Sequence, residues 1–516
     1  MKLKVQASYL LIVLCIVACT TRSKTEMKDG IEKQGTTLVI IDPNTAVSKD
    51  YSGIGVQLDP YEWFDLSKDQ WSLVEKRMDF LRPAFIRTMI RGYWYTEGID
   101  RNGVVKYKFD SPRMKKLYQI LDYAKARNIN VMLGEWDSPS FSKDDSYSKE
   151  DSIRNLGIKE NDPRWANMIG GLLVHLVKKK GYSNIKWFNY VNEPNGDWSG
   201  CADFSRWKEG MTHLARQLRL VNLDGKIRIV GPDASGDVGW IRMTADKMPE
   251  LIDTYTYHWY AKNEDILSGN VEKTMTEQYE YIKARDGKLH SKGFLMAEAG
   301  VFTGRTNGDQ QPAVRTFDYG VMMTDYAVQT MRGRMNGISA WDLDDAMHIN
   351  AGTFGITGDN YPKPPSDITL KVWGFWNSLG GEMKNPDDTK LRPWFYTWAL
   401  MSRNMRKGGT VISTSNDLPS PIRSVAFFNQ DEGGPLLTVV LVNNTEKPRK
   451  ARLVATGIKP LPVVDVYKYF NDQRQADGDG FPLPEETLSN LDLYKGFEVS
   501  FPAKGVVILA ARSVSR

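Results

Sequence analysis

The sequence predicts an α/β chain that forms a (β/α)8 TIM barrel with an accessory antiparallel β-sandwich, and three observations support this fold class. Short apolar runs alternate with longer amphipathic stretches between residues 50 and 405, a pattern typical of parallel strands joined by helical crossovers. Eight such strand–helix pairs can be counted, which is the number that closes a barrel. After about residue 410 the helical stretches stop, and strand-like segments follow one another with turns between them, as in a β-sandwich.

Each predicted barrel strand is a short apolar or β-branched run that precedes an amphipathic stretch. The strands are residues 51–58, 85–90, 130–136, 186–195, 226–232, 253–261, 293–300 and 337–343. The helices that follow them are 67–82, 111–127, 163–180, 203–222, 238–248, 269–285, 312–334 and 393–405. The alternative, a doubly wound sheet, should carry a glycine-rich phosphate-binding turn after its first strand. This sequence has no such turn there.

These segments divide the chain into two folded domains. The barrel is predicted over residues 51–405 and the sandwich over 406–516. One further strand, within residues 37–50, lies upstream of the barrel. It can dock only on the barrel or on the sandwich, and we expect it to join the sandwich, so that both ends of the chain build the accessory domain. Residues 19–36 are polar and lack periodicity, which predicts a flexible tether.

The N-terminus has the features of a secretory leader over residues 1–18, with a basic start and an apolar run too short to span a membrane comfortably. The run ends Ile16-Val17-Ala18-Cys19, which resembles the lipobox of bacterial lipoproteins. The resemblance implies that Cys19 is acylated and anchors the protein to the inner or outer membrane of the bacterial cell envelope, on the periplasmic face or at the cell surface. An ordinary secretory signal with an incidental cysteine is the alternative.

Composition excludes some classes of function. The net charge of +5 is small for 516 residues, and no basic cluster of the kind that binds nucleic acid is apparent. The 15 tryptophans suit either sugar-binding platforms or a large core. The five histidines show no paired metal-ligand spacing, and we expect neither a metal nor another cofactor. Of the three cysteines, only Cys201 lies beyond the predicted lipid site, so no internal disulfide is expected, and the oligomeric state stays open.

Two glutamates stand at the carboxyl ends of predicted strands, where barrels of this kind place their catalytic groups. Glu193 closes the fourth strand in the run NYVNEPN, and Glu298 closes the seventh in LMAEAG. Strands four and seven face each other across an eight-stranded barrel, so two long carboxylates there can meet over its mouth. Glycoside hydrolysis needs such a pair, because one carboxyl protonates the leaving oxygen and the other attacks the anomeric carbon or activates water.

The run Asn192-Glu193-Pro194 resembles the Asn-Glu-Pro motif of clan A glycoside hydrolases. With Glu298, the run His258-Trp259-Tyr260 and Trp341 on the last strand, the resemblance covers the barrel at about residues 50–405. A barrel with a sandwich built from both termini looks like families 30 and 39 of that clan. The resemblance implies a retaining β-glycosidase in which Glu193 is the acid/base and Glu298 the nucleophile.

The remaining site predictions are substrate-binding or supporting residues. We expect Asn192 to hydrogen-bond the sugar's 2-hydroxyl, and Arg87 to keep Glu298 ionised. His258 or Tyr260 is expected to orient Glu298, and Trp341 to form the floor of the sugar subsite.

Trp136 and Asp137 complete the predicted substrate-binding set. The third strand ends Glu135-Trp136-Asp137, where some clan members have a histidine-containing motif, so the identity of the sugar stays open. The loops 92–110, 137–162 and 344–366 would decide between exo and endo action on an oligo- or polysaccharide. A glycan-binding lipoprotein that kept the barrel and lost catalysis is the alternative function.

Overall fold

A computed structural model describes residues 36–99, 104–139, 158–349, 369–415, 420–429 and 436–513. Over these residues the chain forms a closed eight-stranded parallel barrel and a separate nine-stranded sheet, so the predicted fold class is confirmed. The predicted leader, Cys19 and nearly all of the tether lie outside the described residues, as do parts of the three loops expected to wall the mouth. No helix among the described residues is both long and apolar enough to cross a membrane.

The strands are as follows, in chain order: β1 (Thr36–Ser48), β2 (Gly53–Gln57), β3 (Phe85–Ile90), β4 (Thr96–Ile99), β5 (Val105–Tyr107), β6 (Asn130–Glu135), β7 (Ile185–Asn189), β8 (Arg228–Ser235), β9 (Thr254–Ala261), β10 (Phe294–Val301), β11 (Gly337–Ala340), β12 (Thr410–Ser415), β13 (Arg423–Asn429), β14 (Leu436–Asn443), β15 (Arg449–Ala455), β16 (Leu461–Tyr469), β17 (Glu486–Leu491), β18 (Phe497–Phe501) and β19 (Gly505–Arg512).

The α-helices are α1 (Lys68–Leu81), α2 (Gly92–Tyr95), α3 (Pro112–Ala126), α4 (Pro163–Leu173), α5 (Phe204–Leu220), α6 (Val238–Lys247), α7 (Asn263–Ser268), α8 (Asn270–Arg285), α9 (Leu289–Lys292), α10 (Phe317–Arg332) and α11 (Pro393–Asn404).

The barrel runs β2-β3-β6-β7-β8-β9-β10-β11 and closes where β11 pairs in parallel with β2, from Gly337 opposite Gly53 to Ala340 opposite Val56. Every residue of β3 and of β10 is buried, because parallel barrel strands are covered by helices outside and by packed side chains inside. Side chains such as Phe85 and Trp187 fill the interior below the mouth. The mouth of the barrel therefore lies above a packed apolar core.

The nine-stranded sheet runs β17-β16-β19-β14-β13-β12-β1-β15-β18 and forms a β-sandwich-like domain around its own apolar cluster. Strand β1 pairs antiparallel with β12 and parallel with β15. The sheet was predicted to be antiparallel, and the pair β1–β15 departs from that prediction. Asp325 of α10 is fully buried and accepts a hydrogen bond from Arg423 Nη1 of β13 at 2.6 Å. This pair joins the barrel to the accessory domain.

Several element predictions need correction. The helix expected over 163–180 ends at Leu173 and continues as a π-helix, Val174–Lys179. The helix expected over 312–334 begins at Phe317, after a separate 3-10 turn that starts at Pro312. The strand-like segments recognised on the sequence after residue 410 did not include β17, because its sequence ETLSNL lacks an apolar alternation and all six of its residues keep some exposure. The hairpin β4–β5 lies in a segment predicted as a loop.

Candidate active site

Glu298 reaches the barrel mouth from a strand, whereas Glu193 reaches it from the turn after a strand. Glu298 lies within β10, where it pairs opposite His258 of β9. Strand β7 ends at Asn189, so Glu193 lies four residues beyond the strand rather than at its predicted end. Glu193 has a φ of 45°, a left-handed conformation that costs free energy for a residue with a Cβ and is concentrated at functional sites. The chain accepts this strain at the residue predicted to be the acid/base.

Arg87 is a fully buried guanidinium from β3 that holds the mouth together. Its Nη1 donates to Glu298 Oε1 at 2.6 Å and to Gln57 Oε1 at 2.9 Å. Its Nη2 donates to Asn192 Oδ1 at 2.6 Å and to Asp233 Oδ2 at 2.8 Å. The planar guanidinium therefore links β3 to side chains that belong to, or follow, four other barrel strands.

His258 lies between three carboxylates. Its Nδ1 is 3.0 Å from Glu193 Oε1 and 3.5 Å from Glu298 Oε1, and its Nε2 is 3.0 Å from Asp233 Oδ1. Burial alone would lower the pKa of His258, but the Asp233 and Glu298 carboxylates outweigh burial and raise it to about 10. An imidazolium fits these contacts, since its Nδ1 donates to Glu193 and its charge pairs with Asp233.

The protein shifts the pKa values of the two glutamates in opposite directions. Burial works to raise the pKa of Glu193, but hydrogen bonds from His258, Ser235 and Trp198 hold it below its ordinary value. Burial raises the pKa of Glu298, against the lowering effects of His258 and Arg87. Tyr260 supports Glu298 further, since its hydroxyl donates to Glu298 Oε2 at 2.7 Å. In the substrate-free site, Glu193 therefore favours the ionised form more strongly than Glu298 does.

A carboxylate oxygen from each glutamate and a ring nitrogen of His258 all lie within 4.8 Å of one another. By distance alone this trio could hold a metal ion. The fit is poor, however, because Arg87 and Tyr260 already donate to both oxygens of Glu298, and a cation would enter beside the Arg87 guanidinium.

The glutamates face a cavity of about 590 Å³ at this end of the barrel. Its lining residues include five of the predicted substrate-binding residues, which are Asn192, Tyr260, Trp136, Asp137 and Trp341. Trp341 and Trp136 meet edge to face, with ring centroids 5.9 Å apart. Asp137 forms an ion pair with Arg91.

Arg87 and His258 do not line the cavity. Both side chains have no exposed surface, because the glutamates that they contact stand between them and the open space. His258 therefore acts on a substrate through Glu193 or Glu298, and Arg87 through Glu298 or Asn192. They act as supports for the carboxylates in this structure, although both were grouped with the substrate-binding residues on the sequence.

Three further residues lie at the mouth, outside the set of substrate-binding residues predicted above. Asp233 lies within β8, two residues before its end at Ser235, and it directly follows the strand predicted over 226–232, so its position near a strand end was the available signal. Trp198 follows Glu193 by five residues, and its indole Nε1 donates to Glu193 Oε2 at 2.6 Å. His348 stacks on Trp341 at 5.1 Å and lies 3.1 Å from Asp59 Oδ2. No local pattern marks His348, because the fold alone brings it to the mouth.

Comparison with known proteins gives a consistent result. The family model for cellulase, glycosyl hydrolase family 5, matches residues 50–346. No curated protein matches the sequence. The predicted clan is thereby confirmed, and the family that matches is family 5, where the sequence resemblance had suggested families 30 and 39.

Solved structures of families 30 and 39 nevertheless share the fold. A GH30 endoxylanase from Clostridium papyrosolvens has 13% identity and a TM-score of 0.60, covering 92% of this chain and 100% of that chain. A GH39 β-xylosidase from Caulobacter crescentus has 15% identity and a TM-score of 0.58, covering 93% and 100%. A conserved exported protein from Bacteroides fragilis has 12% identity and a TM-score of 0.60, covering 92% and 100%. Because the family match spans more than half of its length, the chain belongs to the cellulase family, glycosyl hydrolase family 5, and is a glycosidase with a carbohydrate substrate.

Proposed function

We propose that the protein hydrolyses β-glycosidic bonds of oligo- or polysaccharides with retention of configuration. The observation that carries the proposal is the approach of Glu193 and Glu298, whose nearest oxygens lie within 4.8 Å across the mouth. Retaining glycosidases hold their two carboxyl groups about 5–5.5 Å apart, whereas inverting enzymes hold them about 6.5–9.5 Å apart to admit a water molecule, so the close approach favours retention. It suits direct attack on the anomeric carbon.

In the first step, Glu298 attacks the anomeric carbon while Glu193 gives its proton to the departing glycosidic oxygen. The new bond is an ester between Glu298 and the sugar, and the broken bond is the glycosidic one. In the second step, Glu193 takes a proton from water, which attacks the same carbon and releases Glu298. Arg87 and Tyr260 aim the nucleophile through their hydrogen bonds to its two oxygens.

Asn192 is oriented for the role expected from the sequence. Its Oδ1 accepts from Arg87 Nη2 at 2.6 Å, which fixes the amide and leaves its NH2 group as the donor toward the cavity. That group suits the sugar's 2-hydroxyl, an interaction that strengthens in the oxocarbenium-like transition state. Trp341 and Trp136 offer apolar faces for the sugar ring in the same cavity.

The test of this function is the configuration of the first product. We expect the purified protein to cleave at least one member of a panel of aryl β-glycosides, cello-oligosaccharides and xylo-oligosaccharides. Proton NMR should then show the β-anomer first, before mutarotation equilibrates it. An α-anomer as the first product would refute retention. Binding of a glycan without turnover by the parent protein would favour the non-catalytic alternative.

Replacing Glu193 with alanine should make the rate depend strongly on the leaving group. We expect kcat/KM for an unactivated oligosaccharide to fall by about 10²–10⁴-fold, the usual contribution of general acid catalysis. A dinitrophenyl glycoside should lose far less, because its leaving group departs without a proton. Added azide should raise turnover of that substrate and give a β-glycosyl azide, since it attacks from the side that Glu193 has vacated. Equal losses on both substrates would contradict the assignment.

A further inference from the structure

We propose that Trp198 forms the subsite for the leaving group, and that a sugar bound there draws its indole N–H away from Glu193. The inference rests on the proposed function and adds a binding site and a control of proton loading to it. It gives Trp198 two linked roles, as an aromatic platform and as a removable hydrogen-bond donor.

The first support is the exposure of Trp198. Its side chain is 54% exposed and lines the cavity, yet its Nε1 donates to Glu193 Oε2 at 2.6 Å. His258, which contacts the other oxygen of Glu193, is fully buried. Trp198 is therefore the donor to Glu193 that an incoming ligand can most readily reach, and it offers that ligand an apolar ring face.

The second support is the side of Glu193 on which Trp198 lies. Glu193 Oε1 contacts His258, whose Nδ1 is also 3.5 Å from Glu298. Trp198 contacts the opposite oxygen, Oε2. In double displacement the glycosyl unit sits over the nucleophile and the leaving group lies beyond the acid. Trp198 thus borders the leaving-group half of the cavity.

The third support is the backbone around the indole. Trp198 belongs to a single 3-10 turn, Asp197–Ser199, which ends at Gly200 with a φ of 74°. A Cβ at Gly196 would lie 2.2 Å from Trp198 Cε2. Only glycine at residue 196 therefore leaves room for the indole to lie across the backbone.

The hydrogen bond from Trp198 to Glu193 affects the protonation of the general acid. A donor to a carboxylate stabilises its ionised form, and Glu193 is held below its ordinary pKa partly by Trp198. A general acid must instead begin its step protonated. When a sugar stacks on the indole and turns its N–H away, Glu193 gains affinity for a proton at the moment when a leaving group is present.

The test compares two substitutions at residue 198. Trp198→Phe keeps the ring face and removes the N–H. We expect the alkaline limb of kcat/KM for an unactivated oligosaccharide to move upward by about one pH unit, because one charge-assisted hydrogen bond to the ionised acid is gone. Trp198→Ala also removes the platform. Its kcat/KM for a cello- or xylo-oligosaccharide, relative to that for the matching glycosyl fluoride, should fall by about 10-fold.

Trp71→Phe is the matched control, since Trp71 lies on α1 and outside the cavity. It should shift neither the pH profile nor the substrate ratio. Thermal unfolding of all three variants separates these effects from a loss of folded protein. An alkaline limb of Trp198→Phe that coincides with that of the parent overturns the hydrogen-bond role.

Binding measurements separate this inference from the proposed function. Cellotetraose and xylotetraose are titrated into Glu298→Ala proteins with and without Trp198→Ala, and tryptophan fluorescence is followed. Weaker binding on loss of Trp198 supports the platform even if the parent shows no turnover, in which case the proposed hydrolysis alone fails. Equal affinities in the two proteins overturn the platform.

Discussion

Replacement of Glu298 with alanine is expected to lower kcat by about 10⁴-fold or more on every substrate, including those with good leaving groups. The reason is that Glu298 would form the covalent bond to the sugar, so no choice of leaving group replaces it. This distinguishes it from Glu193, whose loss an activated leaving group offsets. Steady-state kinetics on one dinitrophenyl glycoside with both variants measures the contrast.

The stereochemistry of rescue gives an independent check on Glu298. Azide added to the Glu298→Ala protein should enter the space left by the carboxylate and attack from the face opposite the leaving group. The product should therefore be an α-glycosyl azide, whereas the Glu193→Ala protein should give the β-form. Glu298→Gln is the matched variant that keeps the size of the side chain and leaves no room for azide. Undiminished turnover in Glu298→Ala would remove Glu298 as the nucleophile.

The barrel was predictable because its signals are local. Each strand is a short apolar run, and each run precedes an amphipathic helix, so periodicity alone places the eight units in order. Glu298 is part of such a run, in which all eight residues of β10 are buried. A lone carboxylate in that setting marks the mouth of the barrel. The sequence therefore located Glu298 on its strand.

The arrangement around the glutamates was harder to predict from the sequence, because it depends on contacts between segments that are distant along the chain. Arg87 and Asp233 are 146 positions apart and meet only when the barrel closes. The left-handed backbone of Glu193 is also invisible to periodicity, since it is a property of the turn after β7. The accessory strand β17 was missed for a related reason. Its pairing with β16 stabilises it, with little apolar burial of its own.

Replacement of Arg87 with methionine is expected to destabilise the protein by about 3–5 kcal/mol, the usual result of removing one partner of a buried ion pair. Arg87 and Asp233 have no exposed side-chain surface, and Glu298 is 4% exposed. Without the guanidinium, two buried carboxylates lose their nearest cation. Arg87→Lys keeps a charge but lacks the fork that reaches four acceptors, so it should recover only part of the loss. Urea unfolding at pH 7 measures both.

The pH dependence of this loss identifies its electrostatic origin. In the parent, Asp233 is buried, but His258 and Arg87 hold its pKa below its ordinary value, so its contribution to stability is complete at neutral pH and declines in acid. In Arg87→Met the buried carboxyls keep His258 but lose their second cation, so their pKa values rise relative to those in the parent. The folded variant then takes up more protons than the folded parent as the pH falls, so acid lowers its stability less than that of the parent. The difference in the free energy of unfolding between parent and variant should therefore become smaller from pH 7 to pH 5.

A double variant gives a second check. Adding Asp233→Asn to Arg87→Met removes one of the buried carboxylates that lost its cation, and it should recover part of the lost stability at pH 7. If the loss in the free energy of unfolding is the same at every pH, and the double variant recovers none of it, then Arg87 contributes packing alone.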